Sequence, residues 1–150
     1  MREVHIRMTI RNLDHLLAPR SVALIGASPE PGTVGAIVAE NLLAGGFEGP
    51  IWFVNPRHKA IGDIGCYASP ADLPEAPDLA VIATPPKTIP GLIGELGAKG
   101  TRAAVVITAG ITGELRTAML KAAQPYCLRI KGPNCLGLLL PRIGLNASFA

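Results

Sequence analysis

The sequence predicts a single α/β domain built around a doubly wound parallel sheet of about five strands. Aliphatic residues dominate the composition, since 49% of the 150 residues are hydrophobic and only 4% aromatic, while 17 glycines and 14 prolines punctuate the chain. Short apolar runs also alternate with segments whose apolar residues recur at helical spacing. Strands that are buried on both faces of a parallel sheet need such continuous apolar runs. The length is sufficient for one hydrophobic core.

Five apolar runs are predicted to be strands, at 21–26, 51–54, 79–83, 103–107 and 128–130. Helices are predicted at 12–17, from about 34 to 44, from residue 88 and from about residue 112, with one helical turn at 69–73. Asn12 and Thr88 are expected to cap their helices. The regular alternation of strand and helix predicts right-handed crossovers and a Rossmann-like sheet.

One face of the helix at 34–44 is expected to be buried, because four apolar residues recur there at helical spacing: Val34, Ile37, Val38 and Leu42. Residues 1–11 are interpreted as a leader and 12–150 as the domain. No terminating signal follows the last apolar segment, so we expect an N-terminal fragment of a larger protein.

Charge and cysteine patterns narrow the classes of function. The net charge is +3, without interleaved basic and aromatic residues, so nucleic acid is not an expected partner. No apolar run reaches the roughly 18 residues that cross a membrane, and no secretion signal precedes the domain, which predicts a cytoplasmic protein. Cys66, Cys127 and Cys135 form no C-x-x-C pair, which argues against a zinc site or a disulfide framework.

A glycine-bearing turn follows the first predicted strand and leads into a helix. Such a turn gathers backbone N–H groups and the positive end of a helix dipole, where a phosphate can bind. Gly26 is followed by Ser28 where the dinucleotide fingerprint G-x-G-x-x-G has its second glycine, and the next glycines are Gly32 and Gly35. This departure favours a phosphorylated ligand other than NAD.

The second predicted strand ends in Asn55, followed by Arg57 and Lys59. An NAD-binding unit has an acidic residue at this point, which accepts hydrogen bonds from the ribose hydroxyls. A basic cluster suits a phosphate on the ribose instead, as in NADP or coenzyme A. The alternative is a solvated basic loop without a ligand.

Ligands of open parallel sheets bind beyond the carboxyl ends of the strands. All five predicted strand ends carry small, polar or turn-forming residues, at 26–28, 55–57, 83–86, 108–110 and 132–135. Backbone can therefore approach a ligand at each of them. Turn formation alone is the alternative explanation, since every α/β protein needs turns there.

The order and spacing of five segments resemble a known family: SVALIGAS (21–28), VNPR (54–57), PDLAVIATPP (77–86), AGI (109–111) and GPNCLGL (132–138). They are similar to the CoA-binding domain of NDP-forming acyl-CoA synthetases, which are relatives of the succinyl-CoA synthetase α subunit. The resemblance extends over 12–150. Segments 42–50 and 144–149 further resemble bacterial protein lysine acetyltransferases, in which a synthetase-like region is fused to a GNAT domain.

The resemblance implies coenzyme A or an acyl-CoA as the ligand. The residues it implies are Gly26, Ser28, Gly32, Thr33 and Gly35 at the phosphates, Asn55, Pro56 and Arg57 at the adenosine end, Thr84 and Pro85 beside the nucleotide, Ala109 and Gly110 near the pantetheine, and Asn134 at the turn by the thiol. At Thr33 family members often have lysine, so one charge on the phosphate is missing here.

The family's phosphorylated histidine belongs to a later domain, and nothing in this chain matches that site. We therefore expect a module that binds coenzyme A without catalysing, that carries no catalytic residue and no metal, and that works with downstream domains of its parent chain. The parent is expected to be an acyltransferase or an acyl-CoA synthetase. An NADP-binding dehydrogenase domain is the alternative hypothesis.

Overall fold

A seven-stranded sheet forms the centre of the protein in a computed structural model that describes residues 11–150. The predicted leader thus lies outside the described residues, apart from Arg11. The seven strands of this sheet are β1 (Val22–Ile25), β2 (Ile51–Val54), β3 (Ala60–Ile61), β4 (Ile64–Tyr67), β5 (Leu79–Ile82), β6 (Ala103–Val106) and β7 (Arg129–Lys131). Two further strands follow along the chain, β8 (Gly137–Leu140) and β9 (Leu145–Ser148). The helices are α1 (Leu13–Leu17), α2 (Val34–Ala44), α3 (Ile89–Lys99) and α4 (Gly113–Ala123).

The strand order is β3-β4-β2-β1-β5-β6-β7, and only β3 runs antiparallel to its neighbour. This confirms the predicted single α/β domain with a Rossmann-like, mostly parallel sheet, and all five predicted strands are present. The register places Ile25 between Val54 and Ile82, so the three central strands end at the same level. The loops that follow these strands therefore meet along one edge.

The prediction did not include two hairpins. Strands β3 and β4 extend the sheet beyond β2, whereas β8 and β9 form a separate two-stranded sheet. The hairpin of β8 and β9 packs against α2 and covers the sheet face on which α1 and α2 lie. Its strands are short and lack strict alternation of polar and apolar residues, so their periodicity is weak.

Both faces of the sheet are buried, as expected for a parallel sheet. In β1, Leu24 points into a core that includes Leu42 of α2 and Leu145 of β9. Its neighbour Ile25 points to the opposite face, into a core that includes Ile93 of α3. These two apolar layers hold the central strands in place and thereby position the loops at their ends.

Three expectations about the helices were wrong. Asn12 lies in the left-handed region, and its Nδ2 donates to the Cys127 carbonyl at 2.6 Å, which ties the start of the described chain to the segment between α4 and β7 instead of capping α1. The Thr88 hydroxyl donates to the Pro85 carbonyl at 2.6 Å and makes no cap bond. Val34 is 38% exposed.

The buried face of α2 is turned away from Val34 because the helix lies very close to β1. Its buried residues include Gly35, Val38 and Leu42. A Cβ atom at Gly35 would lie 2.0 Å from the Gly26 carbonyl oxygen, so only glycine permits this approach. The close contact brings the first turn of α2 to the carboxyl end of β1.

Within residues 11–150, no helix is long and apolar enough to cross a membrane.

We expect Gly35→Ala to destabilise the fold by about 1–3 kcal/mol, because its methyl group must push α2 away from β1. The measurement is urea unfolding followed by circular dichroism. Gly94→Ala in α3 is the matched control, since a Cβ there meets no atom within 4 Å. It should leave the protein equally stable or stabilise it by up to about 1 kcal/mol. Equal stability of the two variants would contradict the close packing.

Candidate ligand-binding site

Two adjoining clefts open along the edge where the parallel strands end. The first, of about 350 Å³, lies between the loops after β2, β4 and β5 and the start of α3. The second, of about 340 Å³, lies between the loops after β5, β6 and β7 and the start of α2. Ala83 and Thr84 line both clefts, so this short segment is the wall between them. The two clefts therefore adjoin along the sheet edge.

The Asn55 side chain connects two of the loops at the first cleft. Its Nδ2 donates to the Ala27 carbonyl at 2.7 Å, and its Oδ1 accepts from the Arg57 backbone N–H at 2.9 Å. The side chain thereby links the loop after β1 to the loop after β2. Both functional atoms of its amide are used within the protein, so Asn55 shapes the cleft through these internal bonds.

The first cleft has one cation at its rim. Arg57 is exposed and lines the cleft, and across residues 11–150 the structure gives its guanidinium no carboxylate partner. Glu95 also lines this cleft, and its Oε1 accepts from the Ala71 N–H at 3.3 Å. The donors of Arg57 are therefore available to an anionic ligand.

The turn before α2 uses its hydroxyl groups to hold its own backbone. The Ser28 Oγ accepts from the Glu30 N–H at 3.1 Å. Thr33 caps α2, because its Oγ1 accepts from the Ala36 N–H at 3.3 Å while donating to the Glu30 carbonyl at 2.8 Å. The N–H groups of the first turn have no carbonyl partner within the helix. They give this end of the site a partial positive charge without any lysine.

The second cleft is lined mainly by apolar groups. Ile107, Leu136 and Phe149 contribute to it, together with Ala109 and Asn134. Asn134 lies in the left-handed region, with φ 56°, and its backbone N–H donates to the Thr108 carbonyl at 3.0 Å. No charged side chain lines this cleft. It suits an uncharged, flexible part of a ligand.

The two clefts bring together eight of the thirteen predicted site residues. The first is lined by Gly26, Asn55, Pro56, Arg57, Thr84 and Pro85, and the second by Thr84, Ala109 and Asn134. The other five line neither cleft: Ser28, Gly32, Thr33, Gly35 and Gly110. Gly35 has a packing role and Thr33 caps α2, whereas Gly110 lies beside Pro86.

Several lining residues were not predicted. Ser69 and Pro70 reach the first cleft because they follow β4, a parallel strand that the sequence did not reveal. Recognising IGCY (64–67) as a strand would have identified a further strand end. Leu92 and Glu95 lie on α3, and the turn residues that mark the end of a strand do not mark the face of a helix that lines a cleft.

None of the described cysteines is set up as a nucleophile. Burial raises the pKa of the Cys66 thiol, which keeps it protonated at neutral pH, and Cys66 lies on β4 outside both clefts. Cys135 lines the second cleft, where its Sγ contacts the Val106 carbonyl at 3.5 Å. No histidine lines either cleft, so Cys135 has no neighbouring imidazole there to act as a general base.

A family model described as a CoA binding domain matches residues 20–141 of this chain. The chain belongs to that family. The family confirms coenzyme A as the cofactor, and the NADP-binding dehydrogenase alternative is not favoured. The fold and the family together make the chain a CoA-binding domain like those of ADP-forming acyl-CoA synthetases.

Individual proteins agree with this assignment. The chain is 42% identical, over 92% of its length, to the ADP-forming acetate–CoA ligase of Methanocaldococcus jannaschii, and covers 20% of that protein. It is 36% identical to the alpha subunit of ADP-forming acetate–CoA ligase I of Pyrococcus furiosus, with 92% of this chain and 32% of that protein aligned. The chain thus spans between a fifth and a third of these relatives.

A solved structure has the same fold. It is the dinucleotide-forming acetyl-coenzyme A synthetase 1 of Ca. Korarchaeum cryptofilum, in complex with phosphate and ADP. The TM-score is 0.87 at 35% identity, and the match covers 91% of this chain and 30% of that chain. None of these three proteins is a lysine acetyltransferase by name, so they lend no support to the finer resemblance of 42–50 and 144–149.

We expect Asn55→Asp to lower the free energy of unfolding by about 1–3 kcal/mol at pH 7, because a carboxylate oxygen would face the Ala27 carbonyl in place of the amide donor. The deficit relative to the wild-type protein should shrink as the pH falls toward about 4 and should be smallest below that value, because the introduced carboxyl takes up a proton more readily in the folded protein, where protonation lets it donate to the carbonyl again. Urea unfolding of both proteins at each pH measures it. A deficit that does not depend on pH would contradict the bond.

Proposed function

We propose that the two clefts hold one molecule of coenzyme A in an extended pose. The phosphorylated adenosine lies in the first cleft, the diphosphate faces the first turn of α2, and the pantetheine passes Thr84 into the second cleft. The observation that carries this proposal is that Ala83 and Thr84 line both clefts, so one extended ligand can pass from the first cleft to the second. The charges of the two clefts support the same orientation of the ligand. Arg57 lines the first cleft, where the phosphorylated adenosine is placed, and the lining of the second cleft is mainly apolar, which suits the pantetheine.

Arg57 is the residue that we assign to the ribose 3′-phosphate. Its guanidinium has five donors and no internal carboxylate partner among the described residues, so pairing with a phosphate breaks no existing ion pair. The brace by Asn55 fixes the backbone of Arg57 at the cleft. A long cationic side chain on a fixed backbone suits a terminal phosphate at the rim.

Arg57→Ala should weaken coenzyme A binding by about 1–3 kcal/mol and leave binding of dephospho-CoA almost unchanged, because only coenzyme A carries the 3′-phosphate. Isothermal titration calorimetry with both ligands measures the two losses. Arg116→Ala is the matched control, since Arg116 is an exposed arginine on α4 that lines neither cleft. It should change neither affinity. Equal losses for the two ligands in Arg57→Ala would remove the assignment of the 3′-phosphate.

We further propose that the parent protein is an ADP-forming acyl-CoA ligase, of which this chain supplies the coenzyme A site. The named relatives are acetate–CoA ligases, and they support this choice. The second candidate is a lysine acetyltransferase with a fused GNAT domain, favoured only by segments 42–50 and 144–149. These segments pack against each other, since a Cβ at Gly45 would lie 2.5 Å from the Gly144 carbonyl oxygen. The packing of α2 on the hairpin of β8 and β9 is therefore an equal explanation for the similarity of these segments to the acetyltransferases.

The domain boundary at residue 12, the cytoplasmic location, and the absence of a nucleic-acid partner remain predictions. The same is true of the partnership with downstream domains. That partnership is supported by the openness of the site at the sheet edge, because a ligand spread over strand ends is well desolvated only when something covers its outer side.

Residues 1–150 alone should bind coenzyme A and catalyse no turnover, because neither cleft contains an activated nucleophile or a histidine. The purified chain is incubated with acetyl-CoA, ATP and acetate, and free thiol is followed with a chromogenic disulfide. Sustained release or consumption of thiol would show a catalytic group that we have overlooked. The parent protein, supplied with ATP, acetate and coenzyme A, should form ADP, phosphate and acetyl-CoA. Transfer of the acetyl group to protein lysines without ADP formation would favour the acetyltransferase instead.

A further inference from the structure

The wall between the clefts is held by a chain of hydroxyl groups. The Thr108 Oγ1, in the loop after β6, donates to the Thr84 carbonyl at 2.7 Å. The Thr84 and Thr88 hydroxyls are 2.7 Å apart. Since the Thr88 hydrogen is directed to the Pro85 carbonyl at 2.6 Å, the Thr84 hydroxyl is the donor to Thr88. The position of Thr84 is therefore set from both sides.

Thr108 also connects Thr84 to the loop after β7. Its backbone carbonyl accepts from the Asn134 N–H at 3.0 Å. One residue thus joins three loops, and all three line the second cleft through Thr84, Thr108 and Asn134. Of the two clefts, Thr108 lines only the second, whereas Thr88 lines only the first.

We propose that Thr108 is a positioning residue for the pantetheine half of coenzyme A. Its hydroxyl holds the Thr84 carbonyl in the wall, so that the passage between the clefts and the mouth of the second cleft keep their shape. The inference rests on the proposed pose of coenzyme A. Without the hydroxyl, the Thr84 carbonyl lacks this donor and the loop after β5 is free to shift into the passage.

The test is Thr108→Val, which replaces the hydroxyl by a methyl group of similar size. Two ligands are titrated by calorimetry: coenzyme A, which needs both clefts, and adenosine 3′,5′-bisphosphate, which needs only the first. We expect coenzyme A to bind about five- to tenfold more weakly, as for loss of one hydrogen bond, and the bisphosphate to bind within about twofold of the wild-type affinity. Thr108→Ser, which keeps the hydroxyl, should restore the affinity for coenzyme A.

Thr117→Val is the matched control, because the Thr117 hydroxyl also donates to a backbone carbonyl, that of Gly113 at 3.3 Å, on α4 outside both clefts. It should alter neither affinity. If Thr108→Val does not fold, Thr108→Ala takes its place in the same titrations. Unchanged coenzyme A affinity, or equal loss of both ligands, would overturn the role of Thr108 while leaving the proposed function in place. Failure of the wild-type protein to bind coenzyme A would overturn both.

Discussion

The backbone contact between Gly26 and Gly35 is the constraint on which the ligand site depends. At Gly26 the chain turns with φ +98°, and a Cβ there would lie 2.5 Å from the Ala83 carbonyl oxygen. At Gly35 a Cβ would lie 2.0 Å from the Gly26 carbonyl oxygen. Because both residues are glycines, the ends of β1 and β5 and the start of α2 can meet at one point. The wall between the clefts and the positive end of α2 both lie beside that point.

Hydrogen bonds between loops extend this contact along the sheet edge. Asn55 ties the loop after β2 to the loop after β1, and Thr108 ties the loops after β5, β6 and β7 to one another. The site is therefore built from backbone held by small polar side chains, with Arg57 as its cation at the first cleft. In the proposed pose, such a site binds coenzyme A by its shape and by its phosphates.

Much of this could be predicted because the signals are local. Continuous apolar runs identified five of the seven strands of the sheet, and the turn residues after them identified the edge along which the two clefts lie. Strands β3, β4, β8 and β9 could not be predicted in the same way, because β3, β4 and β8 contain no fully buried residue and the polar Asn146 interrupts β9. The caps expected at Asn12 and Thr88 failed for a related reason. Each side chain found a carbonyl partner that only the tertiary structure, or the turn before α3, brings within reach.

A crystal structure of the domain with coenzyme A tests the central claim most directly, because it shows which parts of the ligand occupy which cleft. We expect adenosine between the loops of Asn55 and Pro85, the 3′-phosphate at Arg57, and pantetheine passing Thr84 toward Asn134. Coenzyme A bound in the reverse direction, with its adenosine in the second cleft, would contradict the proposed pose. So would coenzyme A bound away from the carboxyl edge of the sheet.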